Sequence, residues 1–143
     1  MNNRFQDANL RMEDFTNEVL VECPQCQKRA VVRKEKDQEG ATLTCSECYY
    51  QSNKPDLSDE KRYKVTTDYW FGQELWLQAS FKDELLWFHN YEHLSYVKQY
   101  ITAGLRERND RAFFTLVEKL PAFIKSAKNR ERLVKLIEKL ERK

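Results

Sequence analysis

The chain has 143 residues, of which 41% are hydrophobic and 34% charged, with a formal net charge of +2 and a mean hydropathy of -0.84. This composition allows one ordinary domain, or a small module beside a second compact one, and it excludes a membrane protein because no run approaches about 18 apolar residues. Because the first residues contain no apolar signal-peptide region, we expect a soluble, cytoplasmic protein whose cysteines stay reduced.

Three β-strands are predicted in the first third of the chain. Residues 15–22, 30–33 and 41–45 have strand composition, and residues 36–40 supply a turn that contains a glycine. Residues 1–14 precede these strands as an N-terminal extension. The predicted strands surround all the cysteines of the chain.

The cysteines form two Cys-x-x-Cys pairs separated by 18 residues, and they are Cys23, Cys26, Cys45 and Cys48. This spacing is typical of a four-cysteine site for one Zn²⁺ ion. Four thiolates close the coordination sphere, so we expect a structural ion without which the module does not fold. A thioredoxin-like redox pair is the alternative, but that motif needs a single pair at the start of a helix.

The order Cys-Pro-x-Cys, β-hairpin, Cys-x-x-Cys over residues 15–52 resembles the zinc-ribbon family. The resemblance implies a small three-stranded zinc ribbon and, because such ribbons often serve as nucleic-acid or polymerase-partner modules, a binding role. A possible second basic face would consist of Lys28, Arg29, Arg33 and Lys34. The metal site contributes a charge of about -2, so a ribbon that contacts a protein, or only braces the fold, is the alternative.

A linker and a β-hairpin are predicted after the ribbon. Residues 53–68 are polar and lack a sustained period, whereas residues 75–78 and 85–88 are apolar runs joined by a short connection. The aromatic side chains around them are expected to form a core, with a base-stacking platform as the alternative. His89 and His93 lack the HExxH pattern, and we expect them to be structural or surface residues.

Helices are predicted over residues 92–108, 111–120, 121–127 and 129–142, where apolar residues recur at spacings of three and four. The predicted fold class is therefore α+β: a three-stranded zinc ribbon followed by a β-hairpin packed with three to four α-helices. The second domain would cover residues 69–143.

A basic corner is predicted between the last two helices. Residues 119–143 hold nine Lys and Arg against three Glu, whereas residues 1–48 hold seven against nine Asp and Glu. Cations at a helix start can bind phosphate, although a charge run can also simply solubilise a helix face. The candidate nucleic-acid-binding residues are Lys125, Ser126, Lys128, Asn129, Arg130 and Arg132.

The segment from Leu75 to Leu133 also resembles bacterial zinc-ribbon-containing proteins of unassigned function, through motifs such as Leu-Trp-Leu-Gln and Ile-Lys-Ser-Ala-Lys-Asn-Arg. We find no nucleophile–base arrangement and no glycine-rich phosphate loop, so neither an enzyme nor a small-molecule substrate is expected. We expect a non-enzymatic module that associates with nucleic acid. The alternative is a protein-interaction or assembly adaptor.

Overall fold

The computed structural model describes residues 17–34, 40–53, 66–103 and 120–143. It contains antiparallel β-sheets and α-helices, in agreement with the predicted α+β class. The chain divides into two compact units. In the described ranges, the sheet unit comprises residues 17–34, 40–53, 66–78 and 87–90, and the helical unit comprises residues 79–86, 91–103 and 120–143.

The sheet unit contains a four-stranded antiparallel sheet in the order β1-β2-β3-β4. The strands are β1 (Glu18–Glu22), β2 (Arg29–Lys34), β3 (Ala41–Cys45) and β4 (Gln51–Ser52). The sequence predicts only the first three of these strands. β4 pairs Gln51 with Thr44 and Ser52 with Leu43, and a strand of two residues is too short to show the alternation on which the prediction depends.

The inner face of the sheet is the core of this unit. Residues of one face recur at every second position because side chains alternate along a strand. The core is formed by Val19, Val21, Cys23, Ala30, Val32, Ala41, Leu43 and Cys45, with Phe71 and Leu75 from outside the sheet. Trp70 and Trp87 pack against it, so these two rings contribute to a core.

The outer edge of β1 is covered by a later part of the chain. The Leu20 N–H donates to the His89 carbonyl at 2.7 Å, and the Leu20 carbonyl accepts from the Trp76 N–H at 2.9 Å. Val21 and Leu75 form an isolated β-bridge. These bonds join Leu75, Trp76 and His89 to the outer edge of β1 within the sheet unit.

A buried aspartate organises the turn before this segment. The Asp68 side chain is 3% exposed, and its carboxylate accepts from the Phe71 N–H at 2.6 Å and from the Gln73 N–H at 2.7 Å. Burial raises the pKa of the Asp68 carboxyl, and the bonds from the amides oppose that rise. Gly72 has a φ of 65°, a conformation that glycine adopts readily.

The β-hairpin consists of β5 (Leu77–Phe81) and β6 (Glu84–Phe88). The sequence predicts a longer connection over residues 79–84. In the structure, β5 extends to Phe81 and β6 begins at Glu84, so the connection consists of Lys82 and Asp83 alone. Phe81 is buried, so strand alternation persists to the turn. Lys82 has a φ of 53°, as short hairpin turns require.

Three α-helices lie in the described part of the helical unit: α1 (Tyr91–Ala103), α2 (Ala122–Lys125) and α3 (Arg130–Glu141). A 3-10 turn, Ala127–Asn129, separates α2 from α3. α1 packs against α3, and Lys98 Nζ lies 2.8 Å from Glu141 Oε1. The buried residues of these two helices include Leu94, Val97, Ile101, Leu133, Ile137 and Leu140.

Several predictions fall outside the described residues. They are the extension over residues 1–14, most of the linker over residues 53–68, the end of the first helix and nearly all of the helix over residues 111–120. The number of helices and the domain boundaries therefore stay predictions. Within the described ranges, none of the helices has the length and apolarity needed to cross a bilayer.

Candidate metal centre and basic surfaces

The four cysteines converge beside the sheet. Cys23 follows β1, Cys45 ends β3, and Cys26 and Cys48 lie in the turns that come next. The Sγ atoms of Cys23 and Cys48 are 3.6 Å apart, as are those of Cys26 and Cys45. All four sulfurs lie within 4.8 Å of one another. The structure thus confirms that the predicted cysteines form a cluster able to hold a metal ion.

The two cysteine turns share one backbone design. The residue after each second cysteine is left-handed, with φ of 65° at Gln27 and 63° at Tyr49. The Cys23 N–H donates to the Lys28 carbonyl at 2.7 Å, and the Cys45 N–H donates to the Tyr50 carbonyl at 2.9 Å. This path directs backbone amides toward the sulfurs, where N–H donors favour the thiolate form.

The thiols of the cluster differ in acidity. Backbone N–H donors, chiefly that of Cys48, lower the pKa of Cys45 to about 7. Desolvation raises the pKa of Cys48 to about 12. The negative charge of one thiolate disfavours ionisation of the neighbouring thiols, so some of the four cysteines stay protonated in the absence of metal. A divalent cation must therefore displace protons when it binds. Metal affinity is therefore expected to fall in acid.

The sulfur spacing fits a tetrahedral ion. Four sulfurs about 2.3 Å from Zn²⁺ would be about 3.8 Å apart, close to the two 3.6 Å pairs. Cys23 and Cys45 are only 1% and 3% exposed, so the core beneath the site holds two of the four ligands in place. With four thiolates bound, a tetrahedral ion has no open position for a catalytic water.

The predicted basic corner lies between α2 and α3. Lys128 and Arg132 are exposed, while Lys125, Ser126 and Arg130 are half-buried. Arg130 also lines a cleft of about 520 Å³ beside α3. Among the described residues, no carboxylate forms an ion pair with Lys128, Arg130 or Arg132. These three cations are therefore not neutralised within the described part of the chain.

Asn129, predicted as a phosphate donor, is only 5% exposed. Its Nδ2 donates to the Phe123 carbonyl at 3.0 Å, and its Oδ1 accepts from Lys82 Nζ at 3.2 Å. It forms no side-chain cap on α3. The bond to Phe123 uses one of the two Nδ2 protons, and the side chain is almost completely buried, so the observed contacts give Asn129 a structural role.

The cations of the possible second basic face are divided between two faces of β2. Arg29 and Arg33 are exposed on one face, whereas Lys34 belongs to the opposite one by strand alternation. Lys28 is exposed just before the strand. Arg33 Nε lies 3.2 Å from Glu18 Oε1 with both side chains exposed, and such a pair contributes little to stability.

Sequence reasoning did not single out Tyr49, which is 86% exposed beside the cysteine cluster. Its position directly after the second cysteine of a pair is the sequence feature that could have identified it.

The two histidines are buried or half-buried. His93 is 2% exposed, and burial lowers the pKa of His89 to about 4. Both observations agree with the structural role expected for the histidines.

Comparisons with protein-family models, with curated proteins and with solved structures found no match for this chain. Its function is therefore inferred from the cysteine cluster, from the charges and from the exposed side chains described above.

Proposed function

We propose that the cysteine cluster holds one structural Zn²⁺ and that the sheet unit is a zinc ribbon in a non-enzymatic binding module. The observation that carries this proposal is the convergence of four Sγ atoms within 4.8 Å. A tetrahedral set of soft thiolates suits zinc, and iron is the other common occupant of such a set. With all four positions filled by sulfur, the ion braces the fold and has no site at which to activate water.

The metal assignment is tested by elemental analysis of protein purified without added metal. We expect one zinc per chain, and we expect Cys26→Ser to lose most of it because three thiolates bind less tightly than four. Ser46→Ala, an exposed change within the second cysteine turn, is the matched control and should keep full zinc. One equivalent of iron would contradict the zinc assignment, and metal-free protein would contradict the site itself.

The partner proposed for the module is nucleic acid, bound at the basic corner by Lys125, Ser126, Lys128, Arg130 and Arg132. Residues 120–143 hold eight Lys and Arg against three Glu. Glu131 and Glu141 already contact lysines, so the excess of positive charge is available to phosphates. Phosphate contacts of this kind position a nucleic acid without reading its sequence.

Charge reversal at the corner tests this partner. In Lys128→Glu/Arg130→Glu/Arg132→Glu, the slope of log affinity against log salt should become shallower by about 2 to 3, since each phosphate contributes about 0.7 to 0.9. Lys139→Glu/Arg142→Glu/Lys143→Glu makes the same change in net charge at the other end of α3 and should have a much smaller effect. Equal losses in both variants would show a net-charge effect and contradict a localised corner site.

A protein contact is the second candidate function. Tyr69 is 50% exposed and lies edge-on to Trp70, with ring centroids 5.0 Å apart. Exposed aromatic residues are enriched at protein interfaces. Tyr69→Ser tests this role, because it should leave nucleic-acid affinity unchanged while it weakens any protein complex that the full chain forms.

A further inference from the structure

We propose that Lys82, in the turn of the β-hairpin, contacts a phosphate of the nucleic acid bound at the basic corner, and that Asn129 positions its ammonium for this contact. The proposal rests on the corner as the nucleic-acid site, and it adds a residue from a separate element of the helical unit. A lysine contact to phosphate carries no sequence information, so the ligand is the phosphate backbone whatever its bases.

The ammonium of Lys82 is held at a defined position. Lys82 Nζ lies 3.2 Å from Asn129 Oδ1 and 5.4 Å from the centroid of the Phe81 ring. That ring is buried and stacks on Phe123, with the centroids 5.8 Å apart and the planes at 20°. A lysine on an exposed turn ordinarily loses rotamer entropy when it binds a ligand. Because these contacts fix the ammonium beforehand, less entropy is lost on binding.

The amide of Asn129 offers Lys82 an acceptor that carries no charge. Asn129 Nδ2 donates to the Phe123 carbonyl at 3.0 Å, which leaves the Oδ1 end of the amide facing Lys82. An amide oxygen orients an ammonium without neutralising it, whereas an ionised carboxylate would cancel its charge. An ammonium also has three N–H donors, and Asn129 uses one of them. Since Lys82 is exposed, its charge and its remaining donors are accessible to a ligand.

The bond to Asn129 places this ammonium within the basic corner. Lys128 and Arg130 flank Asn129 in the chain. Among the residues that the structure describes, no carboxylate, that of the adjacent Asp83 included, forms an ion pair with Lys82, Lys128 or Arg130. Like charges that are gathered without counter-charges destabilise a folded protein, and a phosphate bound among them relieves the repulsion. The gathering of these cations around one buried amide therefore indicates an anionic ligand.

The test measures the affinity of the full zinc-loaded chain for a short fluorescein-labelled DNA duplex over a range of salt concentrations. Lys82→Met removes the charge and keeps an unbranched side chain. The slope of log affinity against log salt should become shallower by about 0.9, the value for one phosphate of B-DNA, which corresponds to a loss of about 8-fold in affinity at about 0.1 M salt. Lys139→Met is the matched control, because it removes one exposed lysine charge at the other end of α3, and it should change the slope little.

The positioning role of Asn129 is tested by combining Asn129→Ala with Lys82→Met. Asn129→Ala releases the ammonium and should weaken binding when Lys82 is present, but it should have no further effect in the Lys82→Met background. A purely structural Asn129 would lower affinity equally in both backgrounds, and that result would overturn the positioning role. Lys82→Met leaves the bond between Asn129 and Phe123 in place, so it decides the phosphate contact even if Asn129→Ala does not fold.

The proposal is overturned if Lys82→Met keeps the slope and the affinity of the wild type, because the bond to Asn129 would then only attach the hairpin turn to the helices. Equal losses in Lys82→Met and Lys139→Met would show a net-charge effect and would overturn it too. If Lys128→Glu/Arg130→Glu/Arg132→Glu weakens binding while Lys82→Met does not, this proposal fails and the corner site stands. If neither variant loses affinity, or the wild type does not bind, the proposed function fails as well.

Discussion

His89 should make the stability of the protein depend on pH in mild acid. Desolvation lowers its pKa from 6.5 to about 4, so the folded chain keeps this imidazole neutral under conditions in which the unfolded chain protonates it. A depressed histidine pKa leaves stability intact above about pH 6.5, and stability falls as the pH drops from there toward about 4.

The magnitude follows from the two pKa values. The unfolded value of 6.5 and the folded value of about 4 differ by about 2.5, and each pKa unit corresponds to about 1.36 kcal/mol. The complete loss is therefore about 3 kcal/mol. Between about pH 7.5 and about pH 5.5 the same linkage predicts a loss of about 1.4 kcal/mol.

The contribution of His89 to stability is measured by urea denaturation of the wild type and of His89→Gln. Both proteins are unfolded at about pH 7.5 and at about pH 5.5, with excess zinc present. The variant carries a neutral side chain at both pH values, so the difference in unfolding free energy between the two proteins should change by about 1.4 kcal/mol. Titration of the cysteines affects both proteins equally and cancels in the comparison. A difference that stays constant with pH would refute the desolvation argument.

Three further predictions concern stability. Asp68→Ala leaves the buried amides of Phe71 and Gln73 without their acceptor and should lower the unfolding free energy by about 2 to 4 kcal/mol in urea, whereas a loss below about 0.5 kcal/mol would contradict the role of the turn. Asn129→Ala should lower the unfolding free energy by about 1 to 3 kcal/mol, because it removes the bonds to Phe123 and Lys82. Lys82→Met removes only the exposed amine that bonds to Asn129, so it should lower the unfolding free energy by clearly less. Chelation of zinc should abolish the near-UV circular dichroism of the sheet unit, because folding and metal binding are coupled; a retained signal would show that the ion is dispensable.

The cysteine cluster could be predicted from sequence because its determinants are local. Each Cys-x-x-Cys turn brings two sulfurs together by itself, and the alternation in residues 30–33 and 41–45 indicates the hairpin that joins the turns. The pairing of Val21 with Leu75 had no comparable signal. Its partners are distant in sequence and no periodicity links them, so sequence reasoning did not anticipate that this segment covers β1.

Burial explains the differences at single residues. Asn129 and Arg130 are neighbours whose side chains both carry N–H donors, and sequence reasoning predicted that both bind phosphate. In the structure Asn129 is 5% exposed and bonded to Phe123, whereas Arg130 has no carboxylate partner among the described residues. Donor chemistry can be read from a sequence, but whether the donor is already satisfied depends on packing.

The hydrogen bonds of β1 connect the cysteine cluster to the rest of the sheet unit. Cys23 follows β1 directly, and Leu20 within that strand bonds to His89 and to Trp76. Loss of the ion would free Cys23, loosen the end of β1 and weaken the bonds that hold the covering segment in place. Protonation of His89 would act on the same strand at its outer edge, where the His89 carbonyl accepts from the Leu20 N–H. Zinc affinity and the charge state of His89 should therefore be coupled through folding, and destabilisation by acid should be greater when zinc is scarce.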